Sequence, residues 1–454
     1  MKFNLRVKDL DQSLGKLTHL HGGYISHFVS KTRNVVKQSF QYIQGKLLEQ
    51  GKGNMCRYAK SIPDCDNQSL QHFVSDSPWE HEPVLDHIQR DVTQYIGDRK
   101  KGALHVDECG FPKQGRDSVG AQPQYCGRLG KVANCQIGVF LGYNNGPYRT
   151  LIDERLYLPE EWAADQIRRE KCGVPDDIVF KTKIELAWDM ILHAKKNHVP
   201  FGWIGMDCFF GRDSILRDRI NNDGMIYIAD IPCDTLVWLE RPETRIPERR
   251  DGVRGRIPTR MKAIGESPIH VQDLQHQLLS DQGDHVFIRD TERKELWSTM
   301  ATVRVFPVVD VLPGDECGLV IRRDDGEGKV KYQFSNAPLD TSLRCFAQMS
   351  GSRYWIERTF EDGKGIAGLA DYQTRGWTGW HHHMTMTLLA MLYIMLITID
   401  IGKKAEFLTV QDVKEIFEVI MPKSNITSEE ILHLILKKHK RRLSARRSHH
   451  RRNK

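Results

Sequence analysis

Apolar residues recur every three or four positions through the first 95 residues, in TRNVVKQSFQYIQGKLL, in SLQHFVSDS and in HEPVLDHIQRDVTQYI. That spacing predicts short amphipathic helices joined by polar turns. From Gly102 the period falls towards two. ALHVDECGF, NCQIGVFLGY and YRTLIDERLYL are separated by Gly, Pro or Asn turns and predict three successive strands in an antiparallel meander. Helical spacing returns in TKIELAWDMILHAKKN, followed by the buried strand FGWIGMD, the helix DSILRDRINND and the strand MIYIADI. Strand, strand, strand, helix, strand, helix, strand is the order of a mixed α/β sheet.

After Pro232 about 110 residues are rich in Pro, Arg and Gly with short strands, including TVRVFPVVDV and LVIRRDDGEGKVKYQF, before helical patterning resumes near Leu343. This segment reads as a β-rich insertion, and Asp325-Gly326 has hairpin turn chemistry. The expected domains are a helical N-terminal module over 1–95, the first part of an α/β core over 96–235 and the insertion over 236–342. A second part of the core, with a further helix, covers 343–402, and C-terminal helices and a tail cover 403–454.

Composition sharpens this picture at the tail. The 454 residues are 40% apolar, enough for a sizeable core. The formal charge is +7, but ten Lys or Arg and no acid lie within Lys437 to Lys454, and without them the rest carries −3. A basic arm on a near-neutral body points to a polyanion, because each cation beside a phosphate releases condensed counterions. Arg441, Arg442, Arg446 and Arg447 are the candidate phosphate contacts within it. Lys31, Arg33 and Lys37 cluster in the N-terminal module and fit either a DNA-facing surface or an ordinary solvated helix face. The ten cysteines contain no C-x-x-C pair, so neither a zinc module nor a disulfide framework is expected. The N-terminus lacks the apolar core of a signal peptide. Met384 to Ile401 falls short of about 20 clean apolar residues and reads as a buried core helix. A cytoplasmic protein is expected.

Two acids end apolar strands, Asp107 in ALHVD and Asp207 in WIGMD. A carboxylate at a strand end is held rigidly with its oxygens towards a cleft. Two of them, joined by a third acid from a helix, can hold two divalent ions about 3.5–4 Å apart. Carboxylate and water oxygens suit Mg²⁺ or Mn²⁺. Each acid taken alone also fits a turn or a helix cap. Strand alternation turns Glu108 away from Asp107, and Asp213 before Ser214 reads as an N-cap. The third acid comes from RYWIERTFEDGK, where Arg353, Glu357 and Lys364 lie within about 40° of one another on a helix. A carboxylate between two cations suits a metal ligand beside a DNA phosphate.

With these residues in view, VDECGFPKQG, YCGRLGKVANCQIGVFLGY, RLYLPEEWA, HVPFGWIGMD and RGWTGWHHHMTMTLLA together resemble bacterial insertion-sequence transposases of the DDE superfamily. The likeness is to family seven hundred and one, a relative of family four, and it covers roughly residues 95 to 450. It implies an RNase H-like mixed sheet with Asp107, Asp207 and Glu357 as catalytic metal ligands. It also implies a β-rich insertion before the helix that bears Glu357. The related group carries a Tyr-x-x-Arg-x-x-x-Glu-x-x-x-x-x-x-Lys signature. Arg353, Glu357 and Lys364 match it, and Ser350 stands where that signature has Tyr.

Weaker signals are set aside. GKLLEQGK resembles a phosphate loop but has one residue too many and ends on Gly53 in place of Ser or Thr. His381, His382 and His383 diverge on a helix and read as packing and capping, and Trp377 and Trp380 read as core. The expected activity is metal-dependent cleavage at transposon ends, with the freed 3′-hydroxyl then joining target DNA, by a dimer or larger assembly on double-stranded DNA. Two alternatives stay open: an RNase H-like nuclease that does not join strands, and a non-catalytic DNA-binding protein derived from a transposase.

Overall fold

A computed structural model describes residues 4–49, 53–248, 259–290, 295–326, 328–405 and 408–423. The basic tail, with Arg441, Arg442, Arg446 and Arg447, lies outside the described residues. The N-terminal module is helical, as its periodicity requires: α1 (Val7–Gly22), α2 (Val36–Leu48), α3 (Met55–Ser61), α4 (Asn67–Ser75) and α5 (His81–Ile96). Polar caps start two of them, Asn54 accepting from the Arg57 amide and Asp66 from that of Ser69.

The meander follows in β1 (Gly102–Pro112), β3 (Lys131–Asn145) and β4 (Tyr148–Tyr157), with β3 antiparallel to both others. A short strand that the periodicity did not announce, β2 (Gln122–Cys126), makes a hairpin with the start of β3. Helices α6 (Glu160–Ala164), α7 (Gln166–Cys172) and α8 (Lys183–Lys196) lead to β5 (Trp203–Met206), which runs parallel to β1. A Thr182–Glu185 capping box starts α8. Two further helices, α9 (Cys208–Gly211) and α10 (Ser214–Asn222), lead to β6 (Tyr227–Ile231), parallel to β5. Asp213 caps α10 by accepting from the Leu216 amide at 2.8 Å, as its position before Ser214 predicts.

The segment expected as an insertion contains β7 (Leu236–Trp238), β8 (Glu243–Arg245), β9 (Lys262–Ile264) and β10 (Ile269–His270), then helix α11 (Val271–Asp281). After them come β11 (Asp284–Asp290), β12 (Glu295–Val309), β13 (Leu312–Pro313), β14 (Cys317–Asp324) and β15 (Val330–Ser335). Except for the two-stranded β8–β9 pair, its strands do not stand apart from the core. β15 pairs with β6 from Tyr332↔Ile231 to Ser335↔Ile228, so the segment extends the core sheet to 13 strands. The exposed edge of β6 would otherwise leave a row of unpaired backbone groups, and β15 covers it.

After α12 (Leu343–Ser352) and α13 (Tyr354–Gly365) comes α14 (Trp377–Gly402), and α15 (Val410–Ile420) follows it. By length and composition α14 could cross a membrane, but 83% of its most apolar window is buried inside the fold. It packs on β4 and is wrapped by α1, α2, α4, α5 and α15. Each of its buried Leu and Ile side chains contributes about 1.5–3 kcal/mol. This helix is the spine that joins the N-terminal module to the sheet.

Candidate active site

Register places the site. Val106 of β1 lies opposite Met206 of β5, and Met206 opposite Ala229 of β6. The next residue on each strand is an aspartate: Asp107, Asp207 and Asp230. In-register residues of neighbouring strands share a level and a face, so three carboxylates stand side by side: Asp207 just past the end of β5, Asp230 one residue before the end of β6, and Asp107, expected at a strand end, in the middle of β1, which runs on to Pro112 because β3 stays paired with it. The chain then leaves β5 through α9, and Asp207 caps that helix, its Oδ1 accepting from the amides of Phe209 at 3.0 Å and Phe210 at 3.1 Å. Gly211 ends α9 so close to β6 that a Cβ there would meet the Asp230 carbonyl at 2.3 Å.

Arg353 ties the acids to α13. Its Nε lies 2.9 Å from Asp230, one terminal nitrogen 3.7 Å from Asp107 and the other 3.0 Å from Glu357. Four acids thus surround one guanidinium, because Asp207 also acts on it electrostatically. Burial pushes the Asp107 carboxyl up to about 7, with Arg353 opposing and the Asp207 charge adding to the rise. Removal from water is the main cause, and a bound cation would bring the carboxyl down again. Glu108 points the other way and pairs with Lys183 of α8 at 2.6 Å, as alternation requires.

Glu357 is exposed and faces a cleft of about 810 Å³ between α13 and the strands β11, β14 and β15. Its lining holds six cations, Arg289, Arg322, Lys329, Lys331, Arg353 and Arg358, against four acids, Asp230, Asp324, Asp325 and Glu357. Ser350 is buried, and its hydroxyl accepts from Arg322 at 3.0 Å. Tyr354 lines the cleft, with the Arg289 guanidinium 3.5 Å from its ring centre. Lys364 sits eleven residues beyond Arg353, about 16 Å along the helix, next to Cys109 of β1 and 5.5 Å from the Phe360 ring centre. The structure therefore brings Asp107, Asp207, Arg353 and Glu357 around one point and holds Lys364 at the far end of α13.

Sequence reasoning passed over Asp230, although IYIAD repeats the apolar-run-then-Asp pattern of ALHVD and WIGMD. It also passed over Gln333, which donates to Asp230 at 2.6 Å, and the cleft arginines Arg289 and Arg322. Trp380 is fully buried, as expected of a core residue. His382 bonds the carbonyls of Val74 and Trp79, and His383 the Tyr42 hydroxyl and the Leu369 carbonyl, so both serve packing. Among the described residues one trio of potential metal ligands has all its ligand atoms within 4.8 Å of one another, and it is His81, Glu154 and His381. The acids around Arg353 are not gathered so tightly, because the guanidinium lies among them. Their chemistry still fits a hard divalent ion, because all donors are carboxylate oxygens.

No curated protein matches the chain. Among solved structures it is similar to the cryo-EM structure of the piggyBac transposase synaptic complex with hairpin DNA, at a TM-score of 0.41 and 9% identity, over 92% of this chain and 81% of that one. The family described as DDE superfamily endonuclease matches residues 28–295, more than half of the chain and including Asp107, Asp207 and Asp230. The chain therefore belongs to the DDE superfamily of endonucleases.

Proposed function

We propose that the protein is a DNA transposase of the insertion-sequence type, working by cut and paste with an RNase H-like core formed by β1, β3, β4, β5 and β6. The observation that carries this reading is the alignment of Asp107, Asp207 and Asp230 on three neighbouring strands, with Arg353 and Glu357 brought over them by α13. The family is divalent-metal dependent. Asp107, Asp207 and Glu357 would hold two Mg²⁺ or Mn²⁺ ions, which would activate a water oxygen and stabilise the departing 3′ oxygen.

The protein's own groups bind and orient. The middle of β1 holds Asp107 rigid and the end of β5 holds Asp207, and the α9 amides fix the rotamer of Asp207. Arg353 keeps the carboxylates apart and, held by Asp230, is placed to grip a phosphate in fork geometry. The cation-lined cleft takes the DNA backbone, and Lys364 and the tail arginines Arg441, Arg442, Arg446 and Arg447 add phosphate contacts. Water attacks a phosphodiester at the transposon end, the bond from phosphorus to the 3′ oxygen breaks, and the freed 3′-hydroxyl attacks target DNA. Two ends must be held together, so a dimer or larger assembly on DNA in the bacterial cytoplasm, at the nucleoid, is the working form.

The test is cleavage of an end-containing duplex in Mg²⁺ beside a gel-shift assay, for Asp107→Asn, Asp207→Asn and Glu357→Gln. Each keeps side-chain volume, so each should abolish cleavage and keep DNA binding. Wild-type cutting by any variant sinks that residue's role. A strand-transfer assay on paired ends separates a transposase from a nuclease that only cuts.

A further inference from the structure

We propose a second metal centre, distinct from the carboxylate cluster, in which His81, Glu154 and His381 bind one zinc-like divalent ion that fastens the N-terminal module to the sheet. The three residues come from three elements: the first residue of α5, the middle of β4 and the first turns of α14. Each offers one ligand atom, and these atoms all lie within 4.8 Å of one another.

Strand alternation sends consecutive β4 residues to opposite sides. Asp153 meets His193 of α8 at 2.6 Å, while Glu154 meets His381 of α14 at 2.8 Å. The His81 and His381 rings lie 4.4 Å apart. Glu154 is fully buried and His381 nearly so. Yet Glu154 Oε2 and His381 Nε2 are both buried with no hydrogen-bond partner. Thr385, one turn further along α14, lies beside the carboxylate without closing a hydrogen bond. Buried polar atoms without partners ask for an occupant. Two imidazoles and one carboxylate are a donor set that zinc accepts, whereas Mg²⁺ prefers oxygen alone. The nearby Arg155 is neutralised by Asp153 at 2.5 Å, which lowers its repulsion of a cation. Trp377 packs on His381 at 4.5 Å, and a water would complete the tetrahedron as the fourth ligand.

The experiment strips the full-length protein with a chelator, reloads it with zinc in excess Mg²⁺ and counts bound zinc. Running it in the Asp107→Asn background as well keeps the carboxylate cluster from contributing. The expected result is one zinc per chain in both. Replacing zinc with cobalt should give the visible bands of a tetrahedral site. His81→Gln changes a half-buried residue at a helix start and should fold, and Glu154→Gln keeps volume. Each should weaken zinc binding more than about 100-fold, beyond the loss expected for an outer-shell partner. X-ray absorption at the zinc edge of the unmutated protein reads imidazole ligands directly, whether or not a variant folds. No retained zinc, unchanged affinity in both variants, or an edge spectrum without imidazole would each overturn the centre and leave a water-filled hydrogen-bond cluster.

Discussion

Asp230 is the residue on which the site's balance turns, because it is the closest acid to Arg353 and stands in register with Asp107 and Asp207. Metal bound by Asp107, Asp207 and Glu357 would compete with Arg353 for the same carboxylates, and Asp230 gives the guanidinium somewhere to stay. Losing a charge-assisted hydrogen bond costs about 1.5–3 kcal/mol. Asp230→Asn should therefore raise the Mg²⁺ concentration for half-maximal cleavage by roughly tenfold or more without abolishing cutting at saturation. A metal titration of cleavage decides it, and an unchanged midpoint removes Asp230 from the site. Gly211 offers an independent check. Its missing Cβ makes room for the Asp230 backbone, which cannot swing aside as a flexible side chain would. Gly211→Ala should destabilise the fold by about 1–3 kcal/mol and lower cleavage, read by denaturant melts beside the nuclease assay.

At the scale of elements, α13 must be held firmly for Glu357 and Arg353 to reach three strands at once. Arg149, near the start of β4, pairs with Asp362 at 2.5 Å. Burial raises the Asp362 carboxyl and Arg149 opposes that rise. Just past the helix, Lys414 of α15 donates to the Ile366 carbonyl and Lys46 of α2 to that of Ala367, both at 3.1 Å. Neighbouring helices thus satisfy the carbonyls of the turn that follows α13. Arg149→Ala would strand Asp362 without its cation. The expected loss is ~2–3 kcal/mol of unfolding free energy, less than a fully buried pair loses because both side chains keep some solvent contact. Arg149→Ala/Asp362→Asn should recover part of it. A double variant no more stable than the single would show that the pair does not anchor α13.

The whole molecule carries an unusual load of neutral histidine. Burial lowers His21, His105 and His382 to about 4 and His81 to about 3, and holds His381 and His383 well below the ordinary value. Each takes up a proton on unfolding wherever the pH lies below about 6.5 and above its folded value. The unfolded state then binds more protons, so these groups' contribution is present above that range and is lost as the pH falls through it. Burial lowers His27 and His87 as well. Asp91, Asp107, Glu154, Asp218 and Asp362, raised by burial, and His193, raised by Asp153 and Asp86, act in the opposite sense. Eight lowered histidines outweigh these six groups. The melting temperature of metal-free protein should fall from pH 7 to pH 5, measured calorimetrically. A flat or rising profile would mean that these rings are not buried neutral.

Much of this was determined by local sequence. Periodicity marked the N-terminal helices, the β1–β3–β4 meander and the alternation of helix and strand to β6, because amphipathic spacing records which side of each element meets the core. Asp213 announced its cap, and ALHVD and WIGMD marked two acids that follow apolar strand residues, although β1 continues past Asp107 to Pro112. Tertiary structure alone decided what those acids meet. Asp230 carried the same local pattern, but only the register of β1, β5 and β6 sets it beside the other two. Local sequence suggested a β-rich insertion, and only the pairing of β15 with β6 shows that most of its strands extend the core sheet, since strand partners distant in the chain leave no local trace. Consecutive histidines on α14 look alike in sequence. Packing sends His382 and His383 to backbone and hydroxyl partners and turns His381 towards Glu154 and His81, because successive helical residues face different neighbours.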